Sequence, residues 1–242
     1  KGLLLEDMGI LQAMEPERAL DRQGLAVTDS EFDEIKTFTD GLVAGKTGDA
    51  AYEEIFQWIT ANVKFGTPES NDPYDVFVEK VAVCQGYANL LKTMCLTQGI
   101  PCVGVNGVMD PDTYYQQGHA WNYVRAGERW IVSDPTNGRD WDMEKDVNVY
   151  SNIVEPYFID VVVAEDDNFV YGYYHGLNVN EVKADADTVV VPDAVLGFYV
   201  TSCNPSALSP SVKVLELNER IDYLGDQNSE GLRSGFAGTF LE

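Results

Sequence analysis

The sequence predicts an α+β fold, in which helices come first and antiparallel strands follow. Apolar residues recur at helical spacing in residues 28–45 and 48–65, and a third apolar helix follows Cys84. Two strand-like segments come next, at residues 102–109 and 119–135, and the second contains a turn of its own. A run of helices followed by a run of strands is the pattern of α+β domains rather than of alternating α/β folds.

Length and composition indicate a globular protein with a substantial core. The chain has 242 residues, of which 45% are hydrophobic and 11% aromatic. This length suits one large domain, or one domain with a smaller appendage. No stretch reaches 18 uninterrupted apolar residues, so no membrane-spanning segment is predicted.

The charge is strongly acidic and limits the classes of partner. Lys and Arg number 16 against 40 Asp and Glu, which gives a net charge of −24. Phosphate backbones and anionic membrane surfaces would be repelled, so neither nucleic acid nor a membrane is expected as a partner. The charge instead indicates a dispersed, exported protein. The chain starts at Lys1 rather than Met, which a removed signal peptide or the trimming of a longer gene product would each explain.

The cysteines indicate neither a disulfide scaffold nor a metal site. There are four, Cys84, Cys95, Cys102 and Cys203, which is too few for a disulfide framework of this length. Their spacing does not resemble the paired cysteines of zinc sites, and we predict no metal or other cofactor. We expect Cys95 and Cys102 to be buried free thiols, although a disulfide between them remains an alternative. Asp110, Asp112 and residues 165–167 lack the spacing of a calcium loop and are predicted to be acidic surface turns.

Cys84 stands where a helix is predicted to begin, in the stretch VAVCQGYANLLKTMCLTQGIP. A buried spacer, a disulfide half, a metal ligand and a nucleophile are the four interpretations of such a residue. A nucleophilic cysteine needs a lowered pKa, because the thiolate is the reactive form. The positive end of the helix dipole and a neighbouring imidazolium would both lower that pKa.

The chain has only two histidines, so a base for Cys84 would be His119 or His175. If Ala126 and Gly127 form a two-residue turn, His119 faces Asp134 directly across a hairpin. An aspartate there would fix the imidazole tautomer and stabilise its protonated form. No carboxylate stands at an obvious opposing position for His175, which we interpret as structural or exposed.

Three segments in this region together resemble the transglutaminase-like superfamily, in a bacterial type. They are VCQGYANLLKTMCLTQGIPCVGVNG, GHAWNYV and RWIVSDPT, and the resemblance runs from about Ala51 to Thr136. It implies a papain/transglutaminase-like core with N-terminal helices packed on an antiparallel sheet. It also implies that Cys84 is the nucleophile, His119 the general base and acid, and Asp134 the residue that orients the histidine.

The resemblance implies an amide-bond enzyme that works through a thioester acyl-enzyme on a protein or peptide. Hydrolysis by a peptidase or amidase comes first and transamidation second, and the motif does not decide between them. The oxyanion site of the family combines the N–H of the nucleophile with a second donor upstream. Candidates for that donor are Gln57, Trp58, Asn62 and Tyr74, and Tyr114 and Tyr115 either line the acyl pocket or pack their own loop.

The C-terminal region has a different pattern, with strand-like pieces that begin every 25 residues at Thr188, Lys213 and Gly238. This period lies in the range of leucine-rich repeats, and chance similarity of two strands is the alternative. We expect a transglutaminase-like domain over residues 1–178 and a β-rich, repeat-like region over residues 179–242. Repeats commonly bind partners, so the rival function is a non-catalytic binding or adhesion module with a cell-surface ligand. The expected location is extracellular or at the cell surface.

Overall fold

The computed structural model describes residues 2–22, 24–109, 117–143, 145–146, 154–174, 176–221 and 223–224. The chain divides into two compact units. The first unit comprises residues 16–161, and the second combines residues 2–15 with the chain from Val162 onward. The two domains predicted for residues 1–178 and 179–242 remain a prediction. His175, Tyr114, Tyr115, Asp110 and Asp112 lie outside the described residues, as does the strand predicted at Gly238.

The first unit begins with helices and ends with strands, as the sequence predicts. A short 3-10 helix (Pro16–Leu20) precedes α2 (Asp29–Leu42), α3 (Asp49–Asn62), α4 (Pro73–Glu79) and α5 (Cys84–Thr97), and α1 (Gly2–Ala13) belongs to the second unit. The strands of the first unit are β1 (Lys64–Phe65), β2 (Val81–Ala82), β3 (Cys102–Met109), β4 (Gln117–Ala126), β5 (Arg129–Asp134), β6 (Arg139–Asp142) and the start of β7 (Val154–Glu165). The predicted mixed architecture of helices and sheet is confirmed.

Local signals in the sequence set the start of α2. Thr28 accepts a hydrogen bond from the N–H of Glu31, and the Glu31 carboxylate accepts one from the N–H of Thr28 at 2.8 Å. This capping box satisfies two N–H groups that the helix itself leaves unpaired.

An antiparallel sheet in the order β7-β3-β4-β5-β6 carries the helices on one face. Helix α5 packs against β3 and β4 on one side and against α2, α3 and α4 on the other. Its middle is therefore buried, and Leu91, Met94 and Cys95 have no exposed surface. The burial of apolar surface, which stabilises the fold by about 25 cal/mol for each Å² removed from water, is the main interaction that holds this helix against the sheet.

The β4–β5 hairpin differs in register from the sequence prediction. Its turn is Gly127–Glu128, not Ala126–Gly127, and Ala126 pairs with Arg129. Tight hairpin turns require φ > 0 at the first of their two central residues, and Gly127 takes that place with φ +62°. The predicted turn would have put the Cβ of Ala126 in that conformation. The predicted direct pairing of His119 with Asp134 is therefore wrong, and the register moves by two residues.

The second unit contains α1 and the strands β8 (Phe169–Tyr174), β9 (Leu177–Val182), β10 (Thr188–Val190), β11 (Ala194–Val195), β12 (Phe198–Leu208), β13 (Val214–Glu216) and β14 (Tyr223–Leu224). Several of these strands pair in parallel with a strand about 25 residues later in the chain. Thr188 of β10 pairs with Val214 of β13, and Val179 of β9 pairs with Cys203 of β12. The partners lie 26 and 24 residues apart, close to the period seen in the sequence.

In the acidic turn at residues 165–167, the central carboxylate accepts hydrogen bonds from residues that follow it in the chain. Asp166 Oδ1 accepts hydrogen bonds from the N–H groups of Asn168 and Phe169, each at 2.8 Å. Its Oδ2 accepts the Tyr171 hydroxyl at 2.8 Å. This carboxylate therefore stabilises the β7–β8 turn, as expected for an acidic residue at a turn.

Candidate active site

Cys84 is the first residue of α5, so the predicted helix start is correct. The residue before it, Val83, is extended and provides no side-chain cap. The positive end of the helix dipole is thus available to the thiol rather than shielded by a capping oxygen. Cys84 is partly exposed.

Two features hold the start of α5 in place. Strands β1 and β2 pair in parallel just before the helix, and Gly66 donates its N–H to the carbonyl of Ala82 at 3.0 Å. At Gly86, in the first turn, an added Cβ would lie 2.8 Å from Asn71 Oδ1 and 2.9 Å from Val76 Cγ2. Only glycine fits this close approach, which explains the glycine two residues after the cysteine.

His119 and Asp134 meet although they are not direct cross-strand partners. His119 Nε2 lies 2.9 Å from Asp134 Oδ2. Extending the β4–β5 register places Trp121 opposite Asp134, so His119 reaches the carboxylate diagonally along the same face. The side chains of His119 and Asp134 are only 4% and 3% exposed, so this contact is almost free of solvent.

Neighbouring residues restrict the imidazole further. The rings of His119 and Trp121 stack, with centroids 5.9 Å apart and planes 24° from parallel. Gly107 of β3 pairs directly with His119 and leaves room for Trp121, since a Cβ there would lie 2.5 Å from the indole. The ring is thus confined by sheet geometry as well as by the aspartate.

The thiol and the imidazole perturb each other in the direction that forms an ion pair. A hydrogen bond with His119 lowers the pKa of Cys84 below its ordinary value, against the effect of burial, and the N–H groups of Ala120 and Gln85 act in the same direction. Burial alone would lower the pKa of His119, but hydrogen bonds with Asp134 and Cys84 outweigh it and raise the pKa to about 9. Because Nε2 faces Asp134, we assign the hydrogen bond with the Cys84 thiol to the other ring nitrogen, Nδ1.

The three predicted site residues therefore come together, and the arrangement has a defined chemical capacity. A thiolate at a helix start beside an imidazolium is a pre-formed nucleophile and proton donor. A buried carboxylate behind the imidazolium stabilises its charge and fixes its tautomer.

The four upstream candidates for a second oxyanion donor are engaged elsewhere. Gln57 donates to Glu53 at 3.1 Å, and Asn62 donates to the carbonyl of Trp58 at 2.8 Å. The Tyr74 hydroxyl donates to Glu34 at 2.8 Å. The Trp58 ring packs against Phe38 and beneath the Lys80 ammonium. These contacts tie all four side chains to the helices of the first unit.

Sequence reasoning missed two groups at this site. The Ala120 N–H is a backbone group and has no signature in the sequence. Asn137 donates its side-chain amide to Asp134 Oδ2 at 2.8 Å. Its signal was present, because an asparagine three residues after a strand-end aspartate in DPTNG is typical of a turn stabilised by side-chain hydrogen bonds.

In the part of the chain that the structure describes, no three His, Cys, Asp or Glu side chains converge in a way that could hold a metal ion. None of the helices in the described ranges combines the length and apolar character that crossing a membrane requires.

Part of the chain is similar in sequence to known proteins. Residues 36–135 match the sequence profile of the Transglutaminase-like superfamily, and this range contains Cys84, His119 and Asp134. This part of the chain is similar to transglutaminase-like domains. It is 30% identical to the Kyphoscoliosis peptidase of Mus musculus over 99 residues and 29% identical to that of Homo sapiens. Each match covers 35% of this chain and only 15% of the relative's length.

Solved structures to which parts of the chain are similar include a Cytophaga hutchinsonii protein described as a cysteine protease. It shares 21% identity at a TM-score of 0.39, over 46% of this chain and 41% of that one. A Parabacteroides distasonis protein described as a protease has 13% identity and a TM-score of 0.37, over 76% and 34% of the two chains. LapG of Legionella pneumophila has 9% identity and a TM-score of 0.38, over 60% and 78%.

Proposed function

We propose that the transglutaminase-like domain is a cysteine-dependent enzyme that cleaves or exchanges amide bonds in a protein or peptide. The observation that carries this proposal is the convergence of Cys84, His119 and Asp134, with the pKa of the thiol lowered and that of the imidazole raised. Structural ion pairs also shift pKa values, but this pair includes a partly exposed thiol at a helix start.

The proposed reaction has two halves. The Cys84 thiolate attacks the amide carbonyl and forms a C–S bond, and the carbonyl electrons move to oxygen. When the tetrahedral adduct collapses, the C–N bond breaks and His119 gives its Nδ1 proton to the leaving amine. Asp134 stabilises the imidazolium until that transfer. The thioester then reacts with water or with a second amine, which returns a proton to His119 and frees the thiolate.

Hydrolysis is the proposed outcome, with transamidation as the second. Trapping of the acyl-enzyme tests the first half, and it uses a panel of activated esters of short peptides with intact-mass detection. We expect an adduct on Cys84 that is absent in Cys84→Ala. Added primary amine then separates the two outcomes, because an amide product forms only in transamidation. Absence of an adduct across the panel would instead favour the non-catalytic binding module.

For the second unit we propose a stack of leucine-rich-like coils that binds a cell-surface ligand. The parallel pairing of β10 with β13 at a 26-residue offset supports this architecture. The pairing buries Val189 and Leu215 opposite each other. We expect Val189→Asp to make the second unit more susceptible to limited proteolysis, whereas the same substitution at the exposed neighbour Val190 should not. Equal protease resistance of both variants would contradict the stacked arrangement.

We also propose an extracellular or cell-surface location for the protein. The net charge of −24 supports dispersion in solution. Labelling of intact source cells with a membrane-impermeant amine reagent tests it. Labelling only after lysis would place the protein inside the cell.

A further inference from the structure

The Asp134 carboxylate accepts hydrogen bonds from more than His119. Asn137 donates its side-chain amide to Oδ2 at 2.8 Å and its backbone N–H to Oδ1 at 3.3 Å. His119 Nε2 lies 2.9 Å from the same Oδ2. The Asn137 amide and the imidazole therefore share one carboxylate oxygen.

The β5–β6 turn explains how an exposed residue reaches a buried one. Asp134 ends β5 and pairs with Arg139 at the start of β6, so residues 135–138 form the turn. Asn137 lies on the exposed side of this turn, whereas Asp134 is 2% exposed. The Asn137 amide also lies 3.8 Å from Met109 Sδ at the end of β3. Asn137 thus contacts both Asp134 and the end of β3, which lies two strands away from β5 in the sheet.

We infer that Asn137 is a positioning residue, which holds the Asp134 carboxylate in the orientation that supports the His119 imidazolium. The inference rests on the proposed function and adds a residue to it.

Rotation of the carboxylate is the motion that needs restraint. The terminal torsion of aspartate has broad minima, so β5 alone does not fix the direction of Oδ2. Two donors from one residue, one on each oxygen, define the plane of the carboxylate. Hydrogen bonds to charged groups are stronger than those between neutral groups, so two of them from Asn137 restrain this rotation.

A purely structural asparagine is the competing interpretation, since many turns contain such pairs. The two roles differ in their effect on His119, because the Asn137 amide binds the same Asp134 oxygen as the imidazole. Among the described residues, the charged groups that act on His119 are Asp134 from β5 and Cys84 from α5. On its other side, β3 presents Gly107 and Met109, which do not titrate. A change in the Asp134 orientation should therefore appear in the titration of Cys84 and His119, whereas a loss of turn stability would not alter it.

The test is the pH dependence of Cys84 alkylation by iodoacetamide, measured in the whole chain for Asn137→Ala. We expect the midpoint to move to higher pH by about 0.5–1 unit, because the weakened imidazolium no longer favours the thiolate. If turnover is found, kcat/KM should fall about tenfold. Glu128→Ala is the matched control, since this side chain is 97% exposed in the turn at the other end of β5.

A double-mutant cycle isolates the route. If Asn137 acts through Asp134, Asn137→Ala should produce no further shift in the Asp134→Asn background. An unchanged midpoint in the single variant would overturn the inference, and so would a shift to lower pH, which would mean that the amide competes with His119. These outcomes are independent of the proposed function, because a protein without any turnover still yields the alkylation profile.

Discussion

His119 Nε2 lies 2.9 Å from Asp134 Oδ2, and the two side chains meet diagonally across β4 and β5. Both are almost completely buried. Charges interact more strongly in such surroundings than in water, because little solvent screens them. The contact therefore has a larger effect on the imidazole than a surface ion pair would have, and it helps to raise the pKa of His119, whose hydrogen bond in turn lowers the pKa of Cys84.

Asp134→Asn removes the charge but keeps the shape of the side chain. The asparagine can still bond to the ring, but it no longer stabilises the imidazolium and can hold the wrong tautomer. By analogy with serine triads, kcat/KM should fall by up to about 10⁴-fold, and the alkylation midpoint of Cys84 should rise. Asp185→Asn, at an exposed carboxylate bonded to Ser211, is the control and should leave both unchanged. Near-native turnover with an unaltered alkylation profile would show that Asp134 is only a strand-end residue.

The pH dependence should separate alkylation from turnover. Alkylation of Cys84 needs only the thiolate, so its rate should fall as pH drops through the lowered pKa of the thiol and stay high above it. Turnover also needs the proton on His119, so it should decline again as pH rises through about 9. Cys95 and Cys102 should react far more slowly, because both are fully buried and burial raises the pKa of Cys102. Equal labelling of the three cysteines near neutral pH would contradict the nucleophile assignment.

The sequence predicts the site better than it predicts the register. His119 and Asp134 lie on the same face whether the turn is placed at Ala126–Gly127 or at Gly127–Glu128, because side chains alternate with a period of two. The correct placement was available from the φ > 0 requirement of the first central residue, which glycine meets and alanine does not. The start of α5 was predictable because its glycine, its apolar spacing and the preceding loop agree.

Other features have no local signature. The Ala120 N–H acts on Cys84 through the backbone, so no residue type identifies it. Residues 2–15 belong to the second unit rather than to the helices that follow them. Their contact there depends on Gly9, where an added Cβ would lie 2.7 Å from the Phe198 ring. A contact between residues so far apart in sequence leaves no periodic pattern in either segment.

Gly107→Ala tests how strongly β3 confines the site. The new Cβ would lie 2.2 Å from the Glu155 carbonyl and 2.5 Å from Trp121, so β7 or the indole must move. Such overpacking costs about 1–3 kcal/mol, which should lower Tm by about 3–10 °C. The displaced indole should also change the alkylation profile of Cys84, because it stacks on His119.

Gly118→Ala is the matched control for this variant. It lies in β4 opposite Val108, and an added Cβ there meets no atom within 4 Å. Its Tm and its Cys84 alkylation profile should equal those of the unmodified protein. If Gly107→Ala and Gly118→Ala melt together, the close packing around Trp121 is not a constraint on the fold.

Lys92→Met should destabilise the first unit because it leaves the half-buried Asp160 carboxylate without its cation. Lys92 Nζ lies 3.0 Å from Asp160 Oδ2, the lysine is 2% exposed, and the Gly104 N–H donates to the other oxygen. Burial raises the pKa of Asp160 to about 6, although Lys92 acts to lower it. Removal of the cation leaves a half-buried carboxylate whose remaining protein partner is the Gly104 N–H, so the loss should exceed the ~1 kcal/mol of a surface pair and stay below the ~3–5 kcal/mol of a fully buried one.

The cost of Lys92→Met should depend on pH in a defined direction. A carboxyl whose folded pKa is raised favours the folded state below its ordinary pKa, and this contribution is lost as pH rises through the folded value. Loss of Lys92 raises that value further, so the destabilisation should be small below about pH 6 and should grow as pH rises from there through the raised pKa of the variant, as urea unfolding would show. Adding Asp160→Asn should recover much of the loss at pH 7. Lys36→Met breaks an exposed pair with Asp40 and should cost about 1 kcal/mol or less. A Lys92→Met loss equal to that of Lys36→Met at every pH would show that the Lys92–Asp160 pair contributes no more than a surface contact.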